Sequence, residues 1–76
     1  MMSYNREEAH ARLFALAREG LPDLPRVDEY LTALQRDADN TFPGWGDRLI
    51  AFLRGLWAAG LIKLNHVDRV EQELLK

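Results

Sequence analysis

Apolar side chains recur at helical spacing in four segments of the chain, and none of these segments has the strict alternation of a strand. The second segment is the clearest, because Val27, Tyr30, Leu31, Leu34 and Ala38 fall at i, i+3, i+4, i+7 and i+11. On a helix with about 3.6 residues per turn, these positions form one stripe. The pattern predicts an all-α fold, a small four-helix bundle-like single domain over residues 1–76, with helices at about 6–19, 25–38, 44–59 and 65–76.

Residues that start and stop helices lie at the ends of these segments. Asn5 followed by Glu8 is a capping-box arrangement, which predicts the start of the first helix. Gly20 is expected to end that helix in a left-handed conformation, and Gly60 is expected to end the third helix in a Schellman motif. Asn65 is expected to cap the fourth helix with its side chain.

The third segment combines large apolar side chains on one side with small and charged side chains on the other. Its bulky residues span an arc of about 160°, which is typical of the central helix of a bundle. The fourth segment has only a narrow apolar stripe and is expected to lie at the surface. The predicted core contains Leu13, Leu31, Leu34, Leu49, Phe52, Leu53, Leu56 and Trp57.

Composition limits the classes of protein to which this chain could belong. A chain that is 47% hydrophobic is too apolar for intrinsic disorder, and a net charge of −2 argues against generic binding to nucleic acid. The sequence has no cysteine, so we expect no disulfide and a reducing, cytoplasmic setting. Charged residues near the start argue against a signal peptide, and Arg54 interrupts the longest apolar run, 49–64, so no membrane span is expected.

The residues that could carry chemistry are few and scattered. His10 is predicted to be partly buried with a local hydrogen bond, His66 is predicted to be exposed, and neither has a second ligand at i+4. Ser3 has no base fixed beside it. We therefore expect no enzyme activity, no cofactor and no metal site. The paired carboxylates, Asp28 with Glu29 and Asp37 with Asp39, are predicted to be solvated charge.

A small helical domain without catalytic groups is typical of proteins that act by binding another protein. The expected roles are an accessory, regulatory or inhibitory module, including an inhibitor of a host system encoded by a phage or mobile element. One alternative is a DNA-binding regulator of helix-turn-helix type, in which the fourth helix would enter the major groove. The acidic residues Asp68, Glu71 and Glu73 on that helix would repel phosphates, so nucleic acid is not the expected partner. A further alternative is a self-assembling structural module.

The predicted binding surface lies on the third helix. Ala51, Gly55 and Ala58 form a row of small residues at i, i+4 and i+7, which would let another helix approach closely. Glycine inside a helix costs about 1 kcal/mol relative to alanine, which favours a packing role for Gly55. We expect a homodimer or a partner-bound state that buries this row or the Trp45 end of the helix. The predicted protein-binding residues are Trp45, Arg48, Ala51, Arg54, Gly55 and Ala58.

Overall fold

A computed structural model describes residues 5–76, and over that range the chain forms four helices and no strand. The all-α prediction is confirmed, and each helix end lies within two residues of its predicted position. The helices are α1 (Arg6–Glu19), α2 (Pro25–Asp39), α3 (Trp45–Ala58) and α4 (Leu64–Leu74).

The four helices form a closed ring around a common core. Each packs against its neighbours in the chain, and α1 also packs against α4. Between the described parts of the diagonal pairs, α1 with α3 and α2 with α4, no two Cα atoms lie within 8 Å of each other. Short connections make successive helices antiparallel. The turns at 20–24 and 59–63 therefore share one end of the bundle, here called the upper end, and the turn at 40–44 lies at the lower end.

The core is built from one apolar stripe on each helix. Leu31 with Leu34, Leu49 with Leu53, and Val67 with Val70 follow helical spacing, so each pair turns to the same side. The isoleucine of the upper turn between α3 and α4 closes the core at that end. The buried apolar residues are Leu13, Phe14, Ala17, Val27, Leu31, Leu34, Ala38, Leu49, Leu53, Ile62, Val67 and Val70.

Trp57 is the predicted core residue that the structure places at the surface. Trp57 is 45% exposed, while Phe52 and Leu56 are partly buried against the core. Leu49 and Leu53 are fully buried, so they mark the centre of the covered arc of α3. The apolar arc of α3 is wider than the arc that its neighbours cover. Trp57 lies at the α4 edge of that arc, in the last turn of the helix, and this is why the prediction of a buried Trp57 is wrong.

Local hydrogen bonds confirm two of the predicted helix ends. The side chain of Asn5 accepts a hydrogen bond from the Glu8 backbone N–H at 3.2 Å. Gly60 has φ of 78°, and its N–H donates to the Trp57 carbonyl at 2.8 Å. The N–H of Leu61 donates to the Leu56 carbonyl at 2.9 Å, which completes the Schellman motif.

The caps predicted at the other two helix ends, Gly20 and Asn65, are wrong. Gly20 has φ of −101°, which is not left-handed, and its lack of a side chain serves instead to admit the ring of His66. The fourth helix begins at Leu64, with Lys63 at the N-cap and no side-chain capping bond. Asn65 therefore lies inside the first turn, where its side chain is not placed to cap the helix.

Candidate protein-binding surface

His66 is buried, so the prediction that it is exposed is wrong. Its side chain lies inside the upper end, where Nε2 donates to the carbonyl of Ala17 at 2.9 Å. That carbonyl belongs to the last turn of α1, where carbonyls have no partner within the helix. His66 thus caps α1 from a different helix. It is four residues before Val70, and this spacing was the signal in the sequence that it shares the apolar face of α4.

His10 is buried as predicted, but its hydrogen bond is not local. Its Nδ1 lies 2.9 Å from Oδ1 of Asp39, a residue 29 positions away at the end of α2. The ring also meets Trp45 edge-on, with the ring centroids 4.9 Å apart. Asp39, predicted to be solvated charge, keeps 35% of its side chain exposed and also links the end of α2 to α1 through this contact.

Asp28 and Asp37, from the paired carboxylates, also have partners. Asp37 accepts a hydrogen bond from Arg48 at 3.0 Å, and Asp28 accepts one from Arg18 at 3.1 Å. Asp28 is nevertheless 71% exposed, so its charge remains largely solvated as predicted. The ion pair of Asp37 links α2 to α3, a contact that spacing within α2 could not reveal.

These polar groups do not converge on one reaction centre. His10 and His66 lie at opposite ends of the bundle, and within residues 5–76 no three potential ligands come together as a metal site would require. The hydroxyl of Thr41 donates to the carbonyl of Asn40 at 2.6 Å. Ser3, considered above as a nucleophile, lies outside the described residues. Within the described residues, the candidate functional sites are therefore surfaces that could bind a partner.

The six residues predicted to bind protein all lie on α3, but they do not form one surface. Trp45 turns inward against His10 and Phe14. Arg48 and Gly55 are seven residues apart, so they share one side of the helix, and the ion pair of Arg48 with α2 identifies that side. A Cβ added at Gly55 would have no heavy atom within 4 Å, so nothing in the described structure packs against it.

Arg54 lies on the other side of α3, where it faces α4. Its guanidinium donates to Glu71 at 3.1 Å, and both side chains keep considerable contact with solvent. Ile50 and Trp57 lie four residues before and three residues after Arg54, so the three share this edge of the helix. Ala51 and Ala58 are exposed beside it.

The side of α4 that faces Arg54 carries a corresponding stripe of apolar and acidic residues. Leu64, Asp68, Glu71 and Leu75 follow the i, i+4, i+7, i+11 spacing of one helical stripe, and the backbone of Leu75 keeps helical dihedral angles. We call the combined surface the α3–α4 face. It comprises Ile50, Arg54 and Trp57 of α3, Leu61 of the turn, and Leu64, Asp68, Glu71 and Leu75 of α4.

Four large apolar residues are exposed on the α3–α4 face. Trp57 is 45% exposed, Leu61 50%, Leu64 45% and Leu75 75%. Towards the lower end the face contains a depression of about 370 Å³, whose lining includes Ile50, Arg54 and Leu75. Trp57, Leu61 and Leu64 lie in or next to the turn between α3 and α4, so three of the four are grouped at the upper end of the face.

Other exposed apolar side chains are more dispersed. Tyr30 packs against Phe52 with the ring centroids 4.6 Å apart and the ring planes tilted by 45°, while Leu24 and Phe42 lie in two different turns. A depression of about 520 Å³ opens at the lower end, beside His10 and Phe42. It is shallow, and His10 is already bonded to Asp39. The α3–α4 face is therefore the stronger candidate.

Comparisons with family models, with curated proteins and with solved structures give no match to this chain. Among the helices in the described range, none combines the length and apolar character needed to cross a membrane. The functional assignment rests on the geometry of the surface.

Proposed function

We propose that this protein acts by binding another protein chain through the α3–α4 face. The observation that carries the proposal is the exposure of Trp57, a residue that remains 45% exposed beside the half-exposed Leu61 and Leu64. Apolar surface left in water forgoes about 25 cal/mol of stabilisation for each Å². A partner that covers these side chains would recover that free energy.

The composition of the face also supports protein binding. Tryptophan and arginine are the residues most enriched at the energetic centres of interfaces, and here Trp57 and Arg54 lie one turn apart. The ion pair of Arg54 with Glu71 is accessible, so a partner could make hydrogen bonds to either group. The face thus combines apolar anchors with polar groups that fix orientation.

The predicted small residues contribute in part. Ala51 and Ala58 border the face and leave space for the backbone of a partner to approach. Gly55 and Arg48 lie on the α2 side of α3, and Trp45 points inward. We therefore centre the proposed surface on Arg54 and Trp57.

The biological role that fits such a surface is an accessory, regulatory or inhibitory module without catalytic activity, including an inhibitor encoded by a phage or mobile element. The lack of cysteine suits a reducing compartment such as the cytoplasm. DNA binding through α4 is disfavoured because Asp68 and Glu71 occupy its outer edge and would meet phosphates.

Site-specific photo-cross-linking in the native host tests the proposal. A photoactivatable amino acid is placed at position 61, which is exposed on the face, and at position 33, which is exposed on α2. We expect irradiation to yield a covalent adduct with a protein from position 61 but not from position 33. The proposal is wrong if position 61 gives no adduct, or if both positions give the same adducts in the same yield.

A further inference from the structure

We infer that the chain covering the α3–α4 face is a second copy of this protein, in a dimer with two-fold symmetry. This inference rests on the proposed function, because it names the occupant of the same face. It comes from the order of side chains along the face. Trp57 and Leu64 form an apolar upper end, Arg54 with Glu71 forms a charged middle, and the apolar lower end contains Ile50 and Leu75.

This order is self-complementary. A two-fold axis that lies in the plane of the face, between α3 and α4 and parallel to them, places α3 of each copy on α4 of the other. Each apolar end of the face then lies on the same apolar end of the second copy. Leu64 and Leu75 are about 16 Å apart along α4, from a rise of about 1.5 Å per residue. The same distance separates the two apolar contacts of the dimer.

The charges in the middle favour the same arrangement. Arg54 and Glu71 flank the proposed axis, so the rotation brings Arg54 of each copy towards Glu71 of the other. Opposite charges therefore face each other twice across this axis, which favours the pairing. The side chains of Arg54 and Glu71 are 61% and 34% exposed, so both can bond to a second copy without first leaving a buried position.

Small side chains beside the charged middle allow close contact. Ala51 and Ala58 are exposed on the outer surface of α3, on either side of Arg54 in sequence. The distance between packed helices depends on the side chains at their contact, and alanine permits a short one. The long side chain of Arg54 can therefore reach across to the second copy.

Charge reversal tests the pairing. Arg54→Glu leaves the middle of the face with acidic groups only, and Glu71→Arg places a second positively charged side chain beside Arg54. Each variant alone would place like charges together across the axis, and we expect its dimer dissociation constant to rise on the order of tenfold or more. An equal mixture of the two variants joins an acidic face to a basic face, and we expect it to dimerise.

The mixture of the two variants separates the effect of contacts between chains from the effect of the ion pair within each chain. Both variants lose the ion pair within the chain, whether alone or mixed, so recovery in the mixture comes from contacts between chains. Gly55→Gln is the matched control, because it adds a side chain on the α2 side of α3 and should leave dimerisation unchanged. Circular dichroism confirms that each variant keeps its helices before its mass is measured.

The readout is molar mass by light scattering from micromolar to millimolar concentration. For the wild type we expect the mass to rise towards twice the 8.8 kDa of one chain. A monomeric wild type overturns the dimer, and cross-linking to a different protein from position 61 would then leave the proposed function standing. A dimer whose variants do not recover on mixing, or which Gly55→Gln disrupts, uses another surface and also overturns the inference. A monomer that gives no cross-link from position 61 overturns both proposals.

Discussion

The imidazole ring of His66 lies directly against Gly20, and no space remains between them for a side chain. A Cβ at Gly20 would be 2.8 Å from two carbon atoms of the ring. The ring is also held by the hydrogen bond from Nε2 to the Ala17 carbonyl. This contact fixes the start of α4, including Leu64, against the end of α1, and so fixes the position of the adjacent turn that carries Leu61.

Gly20→Ala should therefore destabilise the fold. The added methyl group would overlap Cγ and Cδ2 of the rigid imidazole ring of His66, so the ring would have to move. Overpacking of this kind costs about 1–3 kcal/mol. Gly55→Ala is the matched control, since it meets no atom within 4 Å and should stabilise the helix by about 1 kcal/mol. Urea denaturation of both variants measures the difference. If Gly20→Ala is as stable as the wild type, the His66 contact is looser than described.

His10 and Asp39 should be energetically coupled. Their hydrogen bond is partly buried and joins α1 to α2, so a double-mutant cycle with alanine at both positions should give a coupling of about 1 kcal/mol. The more exposed pair of Lys76 with Glu73 should give about 0.5 kcal/mol or less. Equal coupling in the two cycles would show that the His10 bond adds nothing beyond a surface ion pair.

Trp57 and Leu53 should differ sharply in their contribution to stability, although they are one turn apart. Leu53 is fully buried, and Leu53→Ala should cost about 2–5 kcal/mol through the cavity it leaves. Trp57→Ala truncates a residue that is 45% exposed and should cost about 1 kcal/mol when measured at a concentration too low for the proposed dimer to form. Thermal or urea unfolding measures both. A large loss for Trp57→Ala would place that side chain in the core and remove the basis of the proposed surface.

The sequence predicted those features that depend on neighbouring residues. Helical spacing located all four helices, and the ends at Asn5 and Gly60 followed from interactions within a few positions. His66 bonds to a residue 49 positions away, and His10 bonds to one 29 positions away. Such partners depend on which helices become neighbours, and local spacing does not specify this.

The candidate site was predictable to a similar extent. The spacing placed small residues on the outer side of α3 and identified Arg54 as a polar residue beside them. It could not show that Arg54 faces Glu71, because that contact requires α4 to lie on one particular side of α3. For the same reason, the breadth of the apolar arc was evident in the sequence, but the exposure of its Trp57 edge was not.

Acrylamide quenching of Trp57 fluorescence tests most directly whether the α3–α4 face becomes covered by protein. A Trp45→Phe background leaves Trp57 as the single tryptophan and keeps an aromatic ring against His10. We expect the quenching constant to be high in dilute solution and to fall as concentration rises through the range in which the mass doubles. A quenching constant that stays high at every concentration, and also in the presence of any protein that cross-links to position 61, would show that no protein covers the α3–α4 face.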